Sequence, residues 1–326
     1  MPPMPDHPSQ TRERPYLTFL LPCYNEGAVL PETYRRIKAV AAGLQRTYEI
    51  VLVNDGSSDD TLAQMLRFAE HDPSLVVVSL SRNHGHQLAL SAGLPYCAGE
   101  RVLIMDADLQ DPPELLPEML ALMDQGADVV YARRRSRPGD EVLKRVACAV
   151  FYRLLNRLAE MPIQLDTGDF RLMSRRVVNE VVKLKESHGF LRGMVAIVGF
   201  RQVIIPFDRP PRHAGETNYN RFFGSLRIGF NGIFCFSTYA LQLSTILGFI
   251  IAGFSLLLTA IYLFYKLMGW TILWGNPTLV ILISFLGGIQ LISVGILGEY
   301  IGRIYEEVRG RPKFIVDQSV GFGPSR

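Results

Sequence analysis

Between Tyr16 and about Ala132, short apolar runs alternate with segments whose apolar positions recur at helical spacing. Runs at 17–21, 50–53, 76–80, 102–105 and 129–131 predict strands, and segments near 29–45, 60–70, 86–97 and 113–125 predict helices. Strand–helix alternation of this kind predicts an α/β domain with a mostly parallel sheet covered on both faces.

Polar residues close the first four predicted strands. They are Pro22-Cys23-Tyr24-Asn25-Glu26, Asn54-Asp55-Gly56-Ser57-Ser58-Asp59-Asp60, Arg82-Asn83-His84-Gly85, and Asp106-Ala107-Asp108-Leu109-Gln110-Asp111-Pro112-Pro113-Glu114. Ligands of open α/β sheets lie beyond the carboxyl ends of the strands, so these ends predict a nucleotide-type crevice. In extended chain Asp106, Asp108 and Gln110 share one face by period two. Three oxygen-bearing side chains there suit a hard divalent cation, Mg²⁺ or Mn²⁺, completed by water and substrate phosphate. The alternative is a solvated acidic loop in which Asp111 caps the next helix. Asp55 can accept hydrogen bonds from a base or ribose, whereas Ser57 and Ser58 are expected to cap the following helix. His84-Gly85-His86 lacks a third nitrogen ligand, and a structural role is expected for it. No G-x-G-x-x-G follows the first strand and no G-x-x-x-x-G-K-[ST] occurs, which sets aside dinucleotide redox enzymes and P-loop hydrolases.

The hydropathy pattern changes after Ala132. A basic run, Arg133-Arg134-Arg135-Ser136-Arg137, is either a solvated loop or a clamp on phosphate oxygens. Residues 141–160 have helical spacing with interspersed Lys and Arg, suiting a packed helix or one lying on anionic lipid. Asp166-Thr167-Gly168-Asp169-Phe170-Arg171 sets two acids around a glycine, and Arg209 to Tyr219 is a Pro/Gly loop expected to act as a lid over phosphates. An aromatic and basic stretch, 220–236, has the character of a helix at a membrane surface. Residues 239–265 and 278–298 carry no charge, and each is long enough to cross the roughly 20-residue hydrocarbon layer. Trp270 and Trp274 lie between them, and arginines flank the pair on the outer sides. Positive-inside reasoning then predicts a hairpin with the α/β domain and the C-terminus in the cytoplasm.

Composition narrows this picture only slightly. The 326 residues allow one large domain and an appendage, and the net charge of +3 carries no polybasic, nucleic-acid-like signal. Cys23, Cys97, Cys148 and Cys235 are widely spaced and are expected to be reduced, buried thiols. Residues 1–15 are polar and Pro-rich, the pattern of a disordered tail.

The chain resembles family 2 glycosyltransferases of the polyprenyl-phosphate class, which includes dolichol-phosphate mannosyltransferases and bactoprenol glucosyltransferases. The resemblance rests on Pro22–Glu26, Asn54–Asp59, Asp106–Glu114, Thr167–Arg171 and the Leu297-Gly-Glu-Tyr-Ile-Gly-Arg-Ile-Tyr-Glu306 segment, in that order. It implies a GT-A nucleotide-sugar-binding domain over 16–219, a juxtamembrane helix at 220–236, transmembrane helices at 237–266 and 277–299, and a cytoplasmic segment from 300 to 326. It further implies nucleotide-sugar contacts at Pro22, Tyr24, Glu26, Asp55, Asp106 and Ala107, and a divalent metal (Mg²⁺ or Mn²⁺) at Asp108 and Gln110. Asp169 is the acid tied to transfer, and Arg133, Arg209, Arg212 and Tyr219 are the phosphate and acceptor contacts. One departure stands out: Asn218 occupies a position where the family usually carries Lys.

The activity so implied is inverting transfer of one hexose, glucose from UDP-glucose first, to undecaprenyl phosphate at the cytoplasmic membrane face. GDP-mannose, UDP-GlcNAc or a UDP-aminoarabinose derivative are the alternative donors, and a non-catalytic lipid-binding scaffold is the alternative class. A processive synthase is disfavoured because its Gln-x-x-Arg-Trp motif is missing. Gly287, Gly288, Gly295 and Gly298 would let spans pack closely, which suggests a homo-oligomer.

Overall fold

A computed structural model describes residues 14–135, 168–184, 191–208, 239–269 and 276–321. Five strands alternate with helices as the apolar pattern predicts: β1 (Leu17–Cys23), α1 (Leu30–Gly43), β2 (Tyr48–Asn54), α2 (Thr61–His71), β3 (Leu75–Leu80), α3 (His86–Gly93), β4 (Arg101–Ile104), α4 (Leu116–Asp124) and β5 (Val129–Arg134). They are followed by β6 (Arg171–Ser174), α5 (Arg175–Lys183), α6 (Leu191–Val198), β7 (Gln202–Phe207), the long helices α7 (Tyr239–Leu267) and α8 (Asn276–Arg309), and β8 (Val316–Val320). Helix α1 shows the local logic. Pro31 sits in its first turn, where a missing N–H costs nothing, Glu32 faces the positive end of the helix, and Leu30, Thr33, Ile37 and Ala41 line its buried face.

The eight strands form one sheet in the order β7-β5-β6-β4-β1-β2-β3-β8. β1 pairs parallel with β2 and β4, β2 with β3, and β5 with β7. β6 runs antiparallel to both β4 and β5, and β8 antiparallel to β3. Side chains alternate across the sheet, so Leu17, Phe19 and Leu21 of β1 join one core with α1 and α4, while Leu20 joins the other with α3, α5 and α6. Gly93 lets α3 lie close on that second face, since a Cβ there would stand 2.5 Å from Leu20 and 2.6 Å from Val53.

The reversed direction of β6 positions the site. Ile104 at the end of β4 is in register with Arg171 at the start of β6, as is Tyr131 of β5. Gly168 and Asp169, which precede β6, therefore arrive at the same edge as the carboxyl ends of the parallel strands.

The chain divides into two compact units, one containing the sheet and the other containing α7 and α8. Large apolar side chains on these helices face outward, among them Phe249 (75% exposed), Leu256 (72%) and Leu291 (74%). Among the described residues, one segment, Phe285–Arg309, is long and apolar enough to cross a bilayer. The chain beyond position 300 is not a plain tail. α8 continues to Arg309, and the segment from Pro312 rejoins the sheet unit, where β8 pairs with β3.

Several expectations lie outside the described residues: the tail, the basic run from 136 and the helix at 141–160, Asp166 and Thr167, the loop carrying Arg209, Arg212, Asn218 and Tyr219, the 220–236 segment, and both tryptophans. Cys148 and Cys235 are among them; Cys23 and Cys97 are free and buried, as expected.

Candidate active site

The loops after β1 and β2 are stitched together through their backbones. The Asn25 amide donates to Ser57 Oγ (3.1 Å), the Ser58 amide to Asn25 Oδ1 (2.8 Å), the Glu26 amide to Thr61 Oγ1 (2.9 Å), and the Gly27 amide to Asp59 Oδ2 (3.1 Å). This corrects the capping role expected of the serines, because α2 has no side-chain cap and both serines bond the β1 loop instead. These links fasten Asn25, Glu26 and Gly27 to the β2 loop, while Pro22 is buried within β1 and Tyr24 is 44% exposed.

Asp55 is buried, and its carboxylate accepts the amides of His84 (2.7 Å) and Gly85 (2.9 Å). Burial pushes its carboxyl above the ordinary value, and the two amides offset part of that shift. Gly56 makes the approach possible. Its φ is +66°, and a Cβ would fall 2.4 Å from the Arg82 carbonyl carbon.

The acidic stretch is not extended. β4 ends at Ile104, Leu109 adopts φ +63°, the Gln110 amide donates to Asp108 Oδ1 (3.0 Å), and the Asp106 amide to Asp111 Oδ2 (3.1 Å). The one-face expectation for Asp106, Asp108 and Gln110 is thereby corrected: short polar side chains satisfy local amides better in a turn than a strand would. Asp111 closes this turn rather than capping a helix. Ala107 is anchored from below, its carbonyl accepting Thr33 Oγ1 of α1 at 2.7 Å.

Asp169 is heavily bonded. Its side chain is 6% exposed and receives Arg171 Nη2 (2.7 Å), Arg192 Nε (3.0 Å) and Nη2 (2.9 Å), and Gln87 Nε2 (2.8 Å), with His86 Nε2 at 3.2 Å. Burial pushes its carboxyl up, but the His86 bond and the Arg192 and Arg171 charges outweigh that and hold it well below the usual carboxylate range. His86 also stands 3.5 Å from Asp106 Oδ1. Burial lowers its imidazole, whereas the Asp106 charge and the Asp169 bond raise it more, to about 9. Arg171 is fully buried and lies against the Tyr131 ring, 5.2 Å from its centroid.

His86, Gln87, Arg171 and Arg192 were not assigned from sequence. The pattern gives His84-Gly85-His86 a structural role without naming partners, and the neighbours of His86 are the Asp106 and Asp169 carboxylates. Arg192 comes from α6, whose place beside Asp169 follows from the antiparallel β6 and from no local pattern. Arg133, at the end of β5, is exposed.

A divalent cation fits the chemistry of the acidic loop. Asp106, Asp108 and Gln110 offer oxygen only, the donor type of Mg²⁺ and Mn²⁺. Among the described residues no group of three or more His, Cys, Asp or Glu could hold a metal by itself. A cation at this loop would accordingly complete its shell with substrate oxygens and water.

The description "Glycosyl transferase family 2" matches residues 18–182. An uncharacterized glycosyltransferase of Synechocystis sp. is 42% identical, covering 94% of this chain and 96% of its own length. A protein of Shigella phage SfII named bactoprenol glucosyl transferase is 38% identical over 93% of this chain and 98% of its own. Among solved structures, a mannosyltransferase of Pyrobaculum calidifontis is similar over 92% of this chain and 88% of its own, at 18% identity and TM-score 0.44.

Proposed function

The chain belongs to glycosyltransferase family 2, has the GT-A fold and is a glycosyltransferase; we propose that it transfers glucose from UDP-glucose to a polyprenyl phosphate at the cytoplasmic face of the membrane. The observation that carries this reading is the similarity to bactoprenol glucosyl transferases, which spans the crevice and the helix pair alike. The alternative donors are GDP-mannose, UDP-GlcNAc and a UDP-aminoarabinose derivative.

In the proposed reaction an oxygen of the lipid phosphate attacks the anomeric carbon, the bond from that carbon to the diphosphate breaks, and the electron pair leaves with UDP. A single displacement inverts the centre. A phosphate monoester has a second pKa near about 6, so the acceptor is largely ionised at neutral pH and needs no strong base. This suits Asp169. With its oxygens engaged by cations and its carboxyl held low, it keeps its charge and orients the groups around it. Glu26 and Asp55 are assigned to the nucleoside side, with Pro22, Tyr24, Asp106 and Ala107 lining the donor. Asp108 and Gln110 would hold the Mg²⁺ or Mn²⁺, which when bound neutralises charge on the departing diphosphate. Arg133, Arg209, Arg212 and Tyr219 are assigned to phosphates.

Membrane placement is proposed as a hairpin of two spans. β7 and β8 flank the helix pair in sequence and belong to one sheet, which supports a return of the chain to the side it left. A second span in α7 would provide that return. A homo-oligomer is proposed on the small residues of α8.

The test incubates full-length protein with polyprenyl phosphate and a panel of labelled nucleotide sugars and identifies the lipid product. UDP-glucose should give a chloroform-soluble glucosyl lipid, and Asp108→Asn or chelation should abolish its formation. A water-soluble product, or transfer untouched by both treatments, would sink the proposal.

A further inference from the structure

Asp106 and Asp169 reach the crevice from strands of opposite direction, and the sheet ladder does not set the spacing of their side chains. A single nitrogen stands between them. His86 Nε2 lies 3.2 Å from Asp169 Oδ2 and 3.5 Å from Asp106 Oδ1. A ring nitrogen set between two converging carboxylates fixes their separation.

The backbone places His86 for this task. It is the first residue of α3, directly after Gly85, whose φ is +93°. The amides of His84 and Gly85 are held by Asp55, so the helix start is fixed from the β2 loop. The next residue, Gln87, donates to Asp169 and accepts the Leu191 amide through Oε1 at 3.2 Å, which ties α6 to the same point. Arg171 and Arg192 reach Asp169 from β6 and α6. His86 touches both acids.

We infer that His86 is a positioning residue of the transfer reaction, bridging Asp106 and Asp169 and so holding the acidic loop in register with the Gly168–Arg171 segment. The inference deepens the transferase reading, on which its kinetic test rests; its structural test stands without that reading.

The bridge requires a nitrogen that reaches both acids, and two variants test it. His86→Gln replaces the ring with an amide that makes neither of the two pairs, and His86→Lys returns a nitrogen on a longer, flexible stem. Full-length proteins in detergent are compared by steady-state transfer to polyprenyl phosphate and by hydrogen exchange of the Asp106 and Gln110 amides, which Asp111 and Asp108 protect. His86→Gln is expected to lower kcat roughly 10- to 100-fold. Its donor KM should stay within about threefold, as befits loss of alignment rather than of uniform binding. The two amides should exchange faster in this variant, and His86→Lys should recover both rate and protection. Wild-type kcat and exchange in His86→Gln would overturn the inference. So would a His86→Lys protein that melts like the wild type yet recovers neither rate nor protection. If the wild-type protein transfers no sugar to lipid, the functional reading fails on its own, and the exchange comparison still decides whether His86 holds the loop.

Discussion

Asp72 shows what a carboxylate wrapped in donors does when no chemistry is asked of it. It precedes β3, at the amino-terminal edge of the sheet, and accepts Tyr34 Oη (2.5 Å), Lys38 Nζ (2.8 Å), the Ser74 amide (2.9 Å) and Ser74 Oγ (2.6 Å). Burial pushes its carboxyl up, but these bonds outweigh burial and bring it down to about 2. A folded-state value below the unfolded one stabilises the protein at pH above the unfolded value. That contribution fades as pH falls from about 4 toward 2. Asp72→Asn should therefore cost about 2 kcal/mol at neutral pH, and the difference from wild type should shrink below about pH 3. Chemical unfolding across that pH range checks it; a difference independent of pH would assign the loss to packing. Asp169 is bonded at least as heavily, but it lies at the opposite edge of the sheet, beside the acidic loop after β4.

At the scale of elements, β8 is the least self-evident piece. It covers the edge of β3 with Val77 opposite Val320 and Ser79 opposite Gln318, and the Ser81 amide donates to the Ile315 carbonyl at 2.9 Å. Without it, β3 would present an open ladder, a template for association between chains. A chain ending at Arg311 should lose thermal stability by roughly 5 °C or more and aggregate on heating. Scanning calorimetry with light scattering would show it, and an unchanged midpoint would make the strand dispensable. The sequence pattern revealed β1 to β5 because their side chains are almost all apolar, as burial on both faces requires. It did not reveal β6, β7 or β8. β6 has four residues, and β8 reads Val-Asp-Gln-Ser-Val, with its middle residues facing solvent. Their pairing is decided by distant partners and leaves no local period. For the same reason the Asp-x-Asp loop and the Gly-Asp-Phe acid were legible as chemistry, while the cations that gather around Asp169 were not.

For the whole molecule, the testable quantity is sidedness. Asp208→Cys, just past β7, and Gln318→Cys, in β8, should react with a membrane-impermeant maleimide from the same side, and a cysteine at Met268, at the end of α7, from the other. Opposite labelling of the first two would contradict the shared sheet, and same-side labelling of all three would remove the hairpin. The place of β8 in the chain also bears on biogenesis. β3 is synthesised early, but its last neighbour emerges only after both long helices have left the ribosome. The nascent sheet therefore keeps the β3 edge bare until residues 316–320 have been made, and a chain cut short before them leaves that edge open to association.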